Sequence, residues 1–163
     1  LSGDGRLVFD WKEYPSGASG EFSYYTQYDQ EHVLDPGSGP YGKPYEEFAE
    51  EFHITYMIAN DQPRYQSMER IREASMASGY RFRMESYRTA ADTSVFEISN
   101  TGQAPIYFDA YISVGGVRST KSLKDLQPGE TRTYGVGASG PDSTVRIACD
   151  RLLEGQEIEF EGN

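Results

Sequence analysis

Hydrophobic and polar residues alternate along the second half of the chain, beginning with Tyr80, Phe82 and Met84. A period of two residues is typical of strands that bury one face. The alternation recurs at residues 96–98, 106–114, 131–136, 145–149 and 158–160. Turn-forming residues separate these runs, among them Gly115-Gly116 and Pro128-Gly129. Short strands spaced in this way predict an antiparallel, immunoglobulin-like β-sandwich over residues 80–163.

The longest of these runs is predicted to be one strand with two different faces. The buried face would carry Ile106, Phe108, Ala110, Ile112 and Val114. The opposite face would carry Tyr107, Asp109 and Tyr111. This tyrosine row is either a surface for a sugar or the seat of the N-terminal segment. We favour the second interpretation, because a strand that is apolar on both faces is usually covered on both.

Residues 1–79 follow a different pattern, which predicts a small α/β segment. One helix is expected to begin at Pro44 and to bury Tyr45, Phe48, Ala49 and Phe52. A second helix is expected from Ser67 to Ser78, with Ser67 as its N-cap, Gly79 as its terminator, and Met68, Ile71, Ala74 and Ser75 on its inner stripe. The change of period at Gly79 therefore predicts two domains, residues 1–79 and 80–163.

Three strands are predicted in the same α/β segment. Leu7–Phe9 is a short apolar run, and Glu21–Tyr28 is rich in aromatic residues, which favour strands. His53–Ala59 is almost continuously apolar, which predicts a strand covered on both faces. The overall fold class is therefore α+β with mainly β structure.

The charge of the chain limits its partners. The formal net charge is −11, whereas nucleic acids and anionic membranes attract basic proteins, so neither is an expected partner. No apolar run approaches the length of a membrane span, so membrane insertion is not expected. The single cysteine, Cys149, alternates with Val145 and Ile147 and is interpreted as a buried small hydrophobic residue. The sequence starts at Leu1 without a signal-peptide pattern, which favours a chain processed or excised from a longer one.

Several turn and core motifs resemble those of a known family. They are Gly79-Tyr80-Arg81-Phe82, the run from Asn100 to Tyr107 (NTGQAPIY), and the run from Leu126 to Glu130 (LQPGE). Across about residues 20–137 the chain is similar to the C-terminal region of bacterial secreted glycoside-hydrolase-like proteins. In that family a (β/α)8 barrel is followed by a β-sandwich.

The resemblance has consequences for location and activity. It implies that residues 1–79 are the end of such a barrel, with His53–Ala59 as its last strand. Catalytic groups of these barrels lie at the carboxyl ends of strands. The resemblance therefore makes Glu21 and the pair Asn60-Asp61 the catalytic candidates. It also implies a secreted, cell-surface or periplasmic protein, and the rest of a larger multidomain protein as a partner.

Aromatic residues in turn-rich segments are the main candidates for ligand binding. Their rings can stack on the apolar C–H faces of sugars, while acids and amides bind the hydroxyl groups. The predicted carbohydrate-binding residues are Trp11, Tyr24, Tyr25, Tyr28, Asp29, Tyr41, Asn60 and Asp61. The alternative is that these rings pack the loops onto the body of the domain.

Catalysis and metal binding have weaker support. A glycosidase needs two carboxyl groups roughly 5 to 9 Å apart. The resemblance makes Glu21 and Asp61 the candidates among 26 acidic residues, and we predict no catalytic residues unless these two converge. His32 and His53 are the only histidines and have no nearby cysteine, so no zinc site is expected. No cofactor is predicted, and no motif indicates a structural calcium ion.

The sequence leads to three functional hypotheses. The first is a non-catalytic carbohydrate-binding or accessory module of a secreted polysaccharide-degrading system, which stacks tyrosines on a neutral polysaccharide or oligosaccharide. The second is a C-terminal fragment of a glycoside-hydrolase-like enzyme. The third is a structural or protein-interaction β-sandwich.

Overall fold

The computed structural model describes residues 17–34, 42–59, 62–139 and 144–162. The chain divides into two compact units, the first ending at Gly79 and the second beginning at Tyr80. The described residues form a mixed α/β structure with more strand than helix, so the prediction of an α+β, mainly β chain is confirmed at that level. The predicted strand Leu7–Phe9 lies outside the described residues.

The first unit contains a pair of parallel strands and four short helices in its described part. In chain order they are β1 (Ala18–Glu21), α1 (Gln27–His32), α2 (Tyr45–Phe52), β2 (Ile54–Ile58), α3 (Gln62–Tyr65) and α4 (Met68–Met76). Strand β1 pairs with β2, so that Glu21 lies opposite Ile58. Parallel pairing requires a crossover connection, and α1, α2 and the residues between them provide it.

Helix α2 begins and ends where its sequence favours it. Pro44 is the N-cap in an extended conformation, and two acidic residues follow in the first turn, where the positive end of the helix dipole stabilises them. His53 ends the helix in a left-handed conformation with φ of 50°. Tyr45 and Ala49 are buried as predicted, whereas Phe48 and Phe52 are only partly buried and stack on each other.

In helix α4 the predicted N-cap is confirmed, but only part of the predicted inner stripe is buried. The Ser67 hydroxyl accepts a hydrogen bond from the Arg70 amide at 3.1 Å. Ala74 is buried and Ile71 packs beside it, but Met68 is 67% exposed, because it begins the helix and lies beyond the core. Ser75 is also exposed, so its predicted place on the inner stripe is wrong.

The core of the first unit is small and is supplemented by polar contacts. Its buried members are Leu34, Tyr45, Ala49 and Ala74. The Tyr45 hydroxyl lies 2.6 Å from the Ser78 hydroxyl, and burial raises the pKa of Tyr45. The Arg70 guanidinium donates two hydrogen bonds to the Glu46 carboxylate of α2, one of them at 3.0 Å. It also donates to the Leu34 carbonyl. These contacts fasten α4 to α2 and to the segment that follows α1.

Two further predictions for the first unit are wrong. The strand predicted for Glu21–Tyr28 ends at Glu21, and residues 27–32 form helix α1, because the Thr26 hydroxyl caps that helix by accepting from the Asp29 amide at 3.0 Å. Strand β2 is not covered on both faces, since Tyr56 is 57% and Ile58 55% exposed.

The described part of the second unit contains six strands in two antiparallel sheets. They are β3 (Phe82–Ala90), β4 (Thr93–Asn100), β5 (Ala110–Val114), β6 (Val117–Arg118), β7 (Thr131–Val136) and β8 (Val145–Cys149). The strand order is β3-β4-β7 in one sheet and β6-β5-β8 in the other. Side chains from both sheets form one buried cluster, which includes Phe82, Phe96, Ile98, Ile112, Val114, Tyr134 and Ile147. The two sheets therefore share a core.

The long strand predicted over residues 106–114 is shorter than expected. Strand β5 begins only at Ala110, so Tyr107, Asp109 and Tyr111 do not form a row on one strand. Phe108 is 48% exposed, with the Arg151 guanidinium 4.8 Å from its ring centroid. Pro105, directly before the predicted strand, has no amide hydrogen to donate to a neighbouring strand. The predicted strand at residues 158–160 is likewise reduced to a single bridge between Ile158 and Ile147.

Asn100 connects several segments of the second unit through its buried side chain. Its amide group donates to the carbonyls of Ala104 and Leu126, both at 2.9 Å. Its side-chain oxygen accepts from the amides of Arg81 at 3.2 Å and Gly102 at 2.9 Å. The side chain is fully buried, so each of these backbone groups would lose its partner if Asn100 were removed.

The C-terminal segment is joined to the first strand of the second unit. The Glu161 amide donates to the Phe82 carbonyl at 2.8 Å. The Glu161 carboxylate accepts a hydrogen bond from the Thr101 hydroxyl at 2.7 Å. It also accepts from the Arg83 guanidinium, whose closer nitrogen is 2.9 Å away, and the Arg81 guanidinium lies 4.0 Å away. The Thr101 hydrogen bond and the two guanidinium charges lower the pKa of Glu161.

We expect Asn100→Ala to destabilise the protein by about 3 kcal/mol, since buried amides and carbonyls would be left unpaired. The free energy of unfolding, measured by urea denaturation, tests this value. Thr133→Ala, at an exposed position on β7, is the control and should change stability by less than about 0.5 kcal/mol. Equal stability of the two variants would contradict the role of Asn100.

We expect the contribution of Glu161 to stability to depend on pH. Its pKa is lowered on folding, so its stabilisation is complete above its ordinary pKa of 4.5 and is lost as pH falls through the folded-state pKa. Glu161→Gln should therefore be less stable than the parent at neutral pH and equally stable in acid. Denaturation midpoints across pH 2 to 7 test this, with the exposed Glu154→Gln as control. A deficit that does not change with pH would contradict it.

Candidate functional site

The carboxyl ends of β1 and β2 lie side by side. Glu21 is opposite Ile58, and the Phe22 amide continues the pairing by donating to the Ile58 carbonyl at 3.1 Å. In α/β structures, ligands bind beyond the carboxyl ends of parallel strands, where the loops leave the sheet. The segment that leaves β1 at this edge carries three tyrosines.

These residues, Tyr24, Tyr25 and Tyr28, form an exposed group that we call the tyrosine surface. Their exposed fractions are 53%, 88% and 61%. The rings of Tyr24 and Tyr25 are parallel to within 2°, with centroids 5.6 Å apart. The ring of Tyr28 stacks on His32, with centroids 4.2 Å apart. Tyr24 and Tyr25 thus support each other and His32 supports Tyr28, while all three tyrosines remain exposed to solvent.

Local hydrogen bonds position the tyrosine surface. Helix α1 begins directly after its cap, Thr26, so Tyr25 precedes the helix and Tyr28 lies in its first turn. The Ser23 hydroxyl donates to the Asp29 carboxylate at 3.1 Å, which ties the loop to the first turn of the helix. The Gln66 side chain donates to the Gln30 carbonyl at 2.6 Å and thereby joins α1 to the residues after α3. The loop is therefore held by polar contacts, while its aromatic rings remain outside the core.

The polar groups near the rings are suited to bind hydroxyl groups. Asp29 is half-buried, and its carboxylate keeps acceptor positions beyond the one that Ser23 occupies. The Gln27 amide donates to Glu31 at 2.6 Å on the exposed side of α1. Together with the phenolic hydroxyls, these groups offer donors and acceptors around apolar ring faces.

The structure brings together half of the predicted carbohydrate-binding residues. Tyr24, Tyr25, Tyr28 and Asp29 lie within one loop and the first turn of α1. Trp11, Tyr41, Asn60 and Asp61 lie outside the described residues. The two conditional catalytic residues are divided in the same way: Glu21 is exposed at the end of β1, whereas the position of Asp61 is not described. Their separation stays untested.

Sequence reasoning missed two aromatic features of the first unit. His32 supports the ring of Tyr28, and its Nδ1 lies 2.7 Å from the Tyr28 carbonyl. The spacing of four residues would have suggested this contact once a helix was recognised. Tyr56 is an exposed ring on β2, which the interpretation of that strand as buried on both faces concealed.

A cleft of about 270 Å³ also lies within the first unit. It is lined mainly by side chains of the core and its margin, such as Phe22, Tyr45, Met57 and Ile71. Its volume is slightly below the range of about 300 to 1,000 Å³ that is usual for small-molecule sites. The tyrosine surface is therefore the better candidate in this unit.

Within the four described ranges, no three residues among His, Cys, Asp and Glu are arranged to hold a metal ion. None of the helices found there has the length and hydrophobicity needed to cross a membrane. The chain has no match among protein-family models, curated proteins or solved structures.

We expect nitration by tetranitromethane to distinguish the tyrosine surface from the core. Tyr24, Tyr25 and Tyr28 should be modified early, together with Tyr56, because all four rings are exposed. Tyr45 and Tyr134 should react last, since they are at most 4% exposed and burial raises the pKa of each phenol, which reacts as the phenolate. Peptide mapping by mass spectrometry at increasing reagent checks the order. Early modification of Tyr134 would contradict the structure.

Proposed function

We propose that this chain is a non-catalytic carbohydrate-binding or accessory module of a secreted polysaccharide-degrading system. The observation that carries the proposal is the tyrosine surface: three exposed rings at the carboxyl edge of a parallel strand pair. An aromatic ring with 88% of its surface in water, as in Tyr25, gains little from folding. Such a ring gains contact area when a ligand with an apolar face covers it.

The ligand class follows from shape and charge. A pyranose ring presents C–H groups that can lie flat on a phenol, and its hydroxyls match the carboxylate of Asp29 and the phenolic groups. The net charge of −11 disfavours polyanionic glycans, because they would be repelled at ordinary salt. We therefore propose a neutral glycan such as a galactan or glucan.

The finer features of the fold and location belong to the same proposal. The two antiparallel sheets with a shared core support an immunoglobulin-like sandwich for the second unit. The parallel pair β1–β2 supports the interpretation of the first unit as the end of a barrel, with the rest of a larger protein as its partner. A secreted, cell-surface or periplasmic location rests on the family resemblance alone.

A fragment of a glycoside-hydrolase-like enzyme is the second candidate. One observation favours it: Glu21 is exposed at the carboxyl end of β1, where catalytic groups lie in barrels. A single carboxyl group does not complete the acid–base pair that glycoside hydrolysis requires. The non-catalytic function is therefore preferred, and a structural or protein-interaction sandwich is the remaining alternative.

We expect Tyr24→Ala and Tyr25→Ala each to weaken binding to soluble galactan or glucan about tenfold, equivalent to about 1.4 kcal/mol. Affinity electrophoresis in gels containing each polysaccharide measures the effect. Tyr87→Ala is the matched control, because Tyr87 is 42% exposed but packs on Phe96 of β4. If the protein releases reducing ends from a polysaccharide and Glu21→Gln abolishes that activity, the enzyme hypothesis is favoured instead. If no polysaccharide retains the protein, the structural alternative is left.

A further inference from the structure

The second unit contains a groove that the proposed function does not use. Its volume is about 750 Å³, within the range of small-molecule sites. It is lined by residues of β5, β6 and β8, by the turn Gly115-Gly116 and by the segment from Gln156 to Phe160. The bridge between Ile147 and Ile158 holds that segment beside β8.

Ser113 lies in the floor of the groove. Its neighbours Ile112 and Val114 are fully buried in the core, so the alternation of the strand directs Ser113 to the outer face. The residue is nevertheless only 7% exposed. Its side chain lines the groove. A hydroxyl in that position can donate a hydrogen bond to a ligand and accept one from it.

Two arginines flank Ser113 on the same face of the sheet. Strand pairing places Arg118 opposite Ser113 on one side and Arg146 opposite it on the other. Arg118 is already fixed, since it pairs with Asp150 and lies over the ring of Tyr111. Arg146 is exposed and makes no ion pair within the described ranges, so its guanidinium is available to a ligand.

The charges of the lining indicate what kind of ligand fits. Arg118 and Arg146 are balanced by Glu157 and Glu159, so the formal charges of the lining cancel. A phosphate or sulfate would meet the two carboxylates as well as the guanidiniums. A neutral ligand with many hydroxyl groups can donate to the carboxylates and accept from Arg146 and Ser113. Ala148, with its small side chain, also lines the groove.

We propose that this groove is a second binding site, which takes a segment of a neutral glycan. The identification of the ligand as a glycan rests on the proposed function, whereas the site itself rests on Ser113, Arg146 and the groove. Two sites on one chain would raise retention on a long polysaccharide through effective concentration, without requiring either site to be strong.

Proton–nitrogen correlation NMR of the full chain tests the second site, with galactohexaose and glucohexaose as ligands. We expect one of them to shift the amides of Ser113 and Ala148 in a saturable manner. Ala148→Tyr should fill the groove and abolish those shifts while the shifts at Tyr24 and Tyr25 persist. Thr133→Tyr, on an exposed position of the other sheet, is the control and should change neither set.

Ser113→Ala supplies an independent variant if Ala148→Tyr does not fold, and we expect it to weaken the groove affinity about fivefold. Shifts at the tyrosine surface without shifts in the groove would overturn the second site and leave the proposed function standing. Shifts in the groove alone would support the second site and remove the tyrosine surface from the proposal. A response of the groove to sodium sulfate or galacturonate but not to the neutral sugars would overturn the ligand class.

Discussion

The second unit depends on complete hydrogen bonding of one buried amide, that of Asn100. Besides its four side-chain contacts, its backbone pairs with Glu130 at 3.0 Å and Gly129 at 2.8 Å. A buried polar group that lacks partners costs about 1–3 kcal/mol, so this position tolerates only a side chain that can both donate and accept. Asn100 ends β4 and fixes the start of the connection towards the other sheet. The shared core and the groove on β5 and β8 both require that connection to be in place.

The first unit uses polar contacts for a different purpose. Its core is small, and short helices in water are only marginally stable. The caps at Thr26 and Ser67 and the contact of Arg70 with Glu46 provide order where hydrophobic burial is limited. Burial alone would raise the pKa of Glu46, but Arg70 lowers it below its ordinary value. Because the loop is ordered by polar groups, Tyr24, Tyr25 and Tyr28 do not have to pack inward.

Periodicity predicted most of the fold but only part of the candidate sites. The alternation identified β4, β7 and β8, and the Ser67 cap identified the start of α4. The segment after Glu21 was mistaken for a strand because its tyrosines favour β structure, whereas the decisive signal was the single hydroxyl of Thr26. The tyrosine surface could be predicted because its members are neighbours in sequence. The groove could not, because Arg118 and Arg146 meet Ser113 only through strand register.

The hydrogen bond between Glu161 and Phe82 joins residues near opposite ends of the second unit. During translation, β3 emerges from the ribosome long before its partner at residue 161 has been made. Contacts between such distant positions are slow to form and leave earlier strands unpaired meanwhile. A nascent chain that stalls before this segment would leave the Phe82 end of the β3 edge open to other strands. Synthesis of residues near 161, rather than formation of the first sheet, is thus the step that gives this end of β3 its partner.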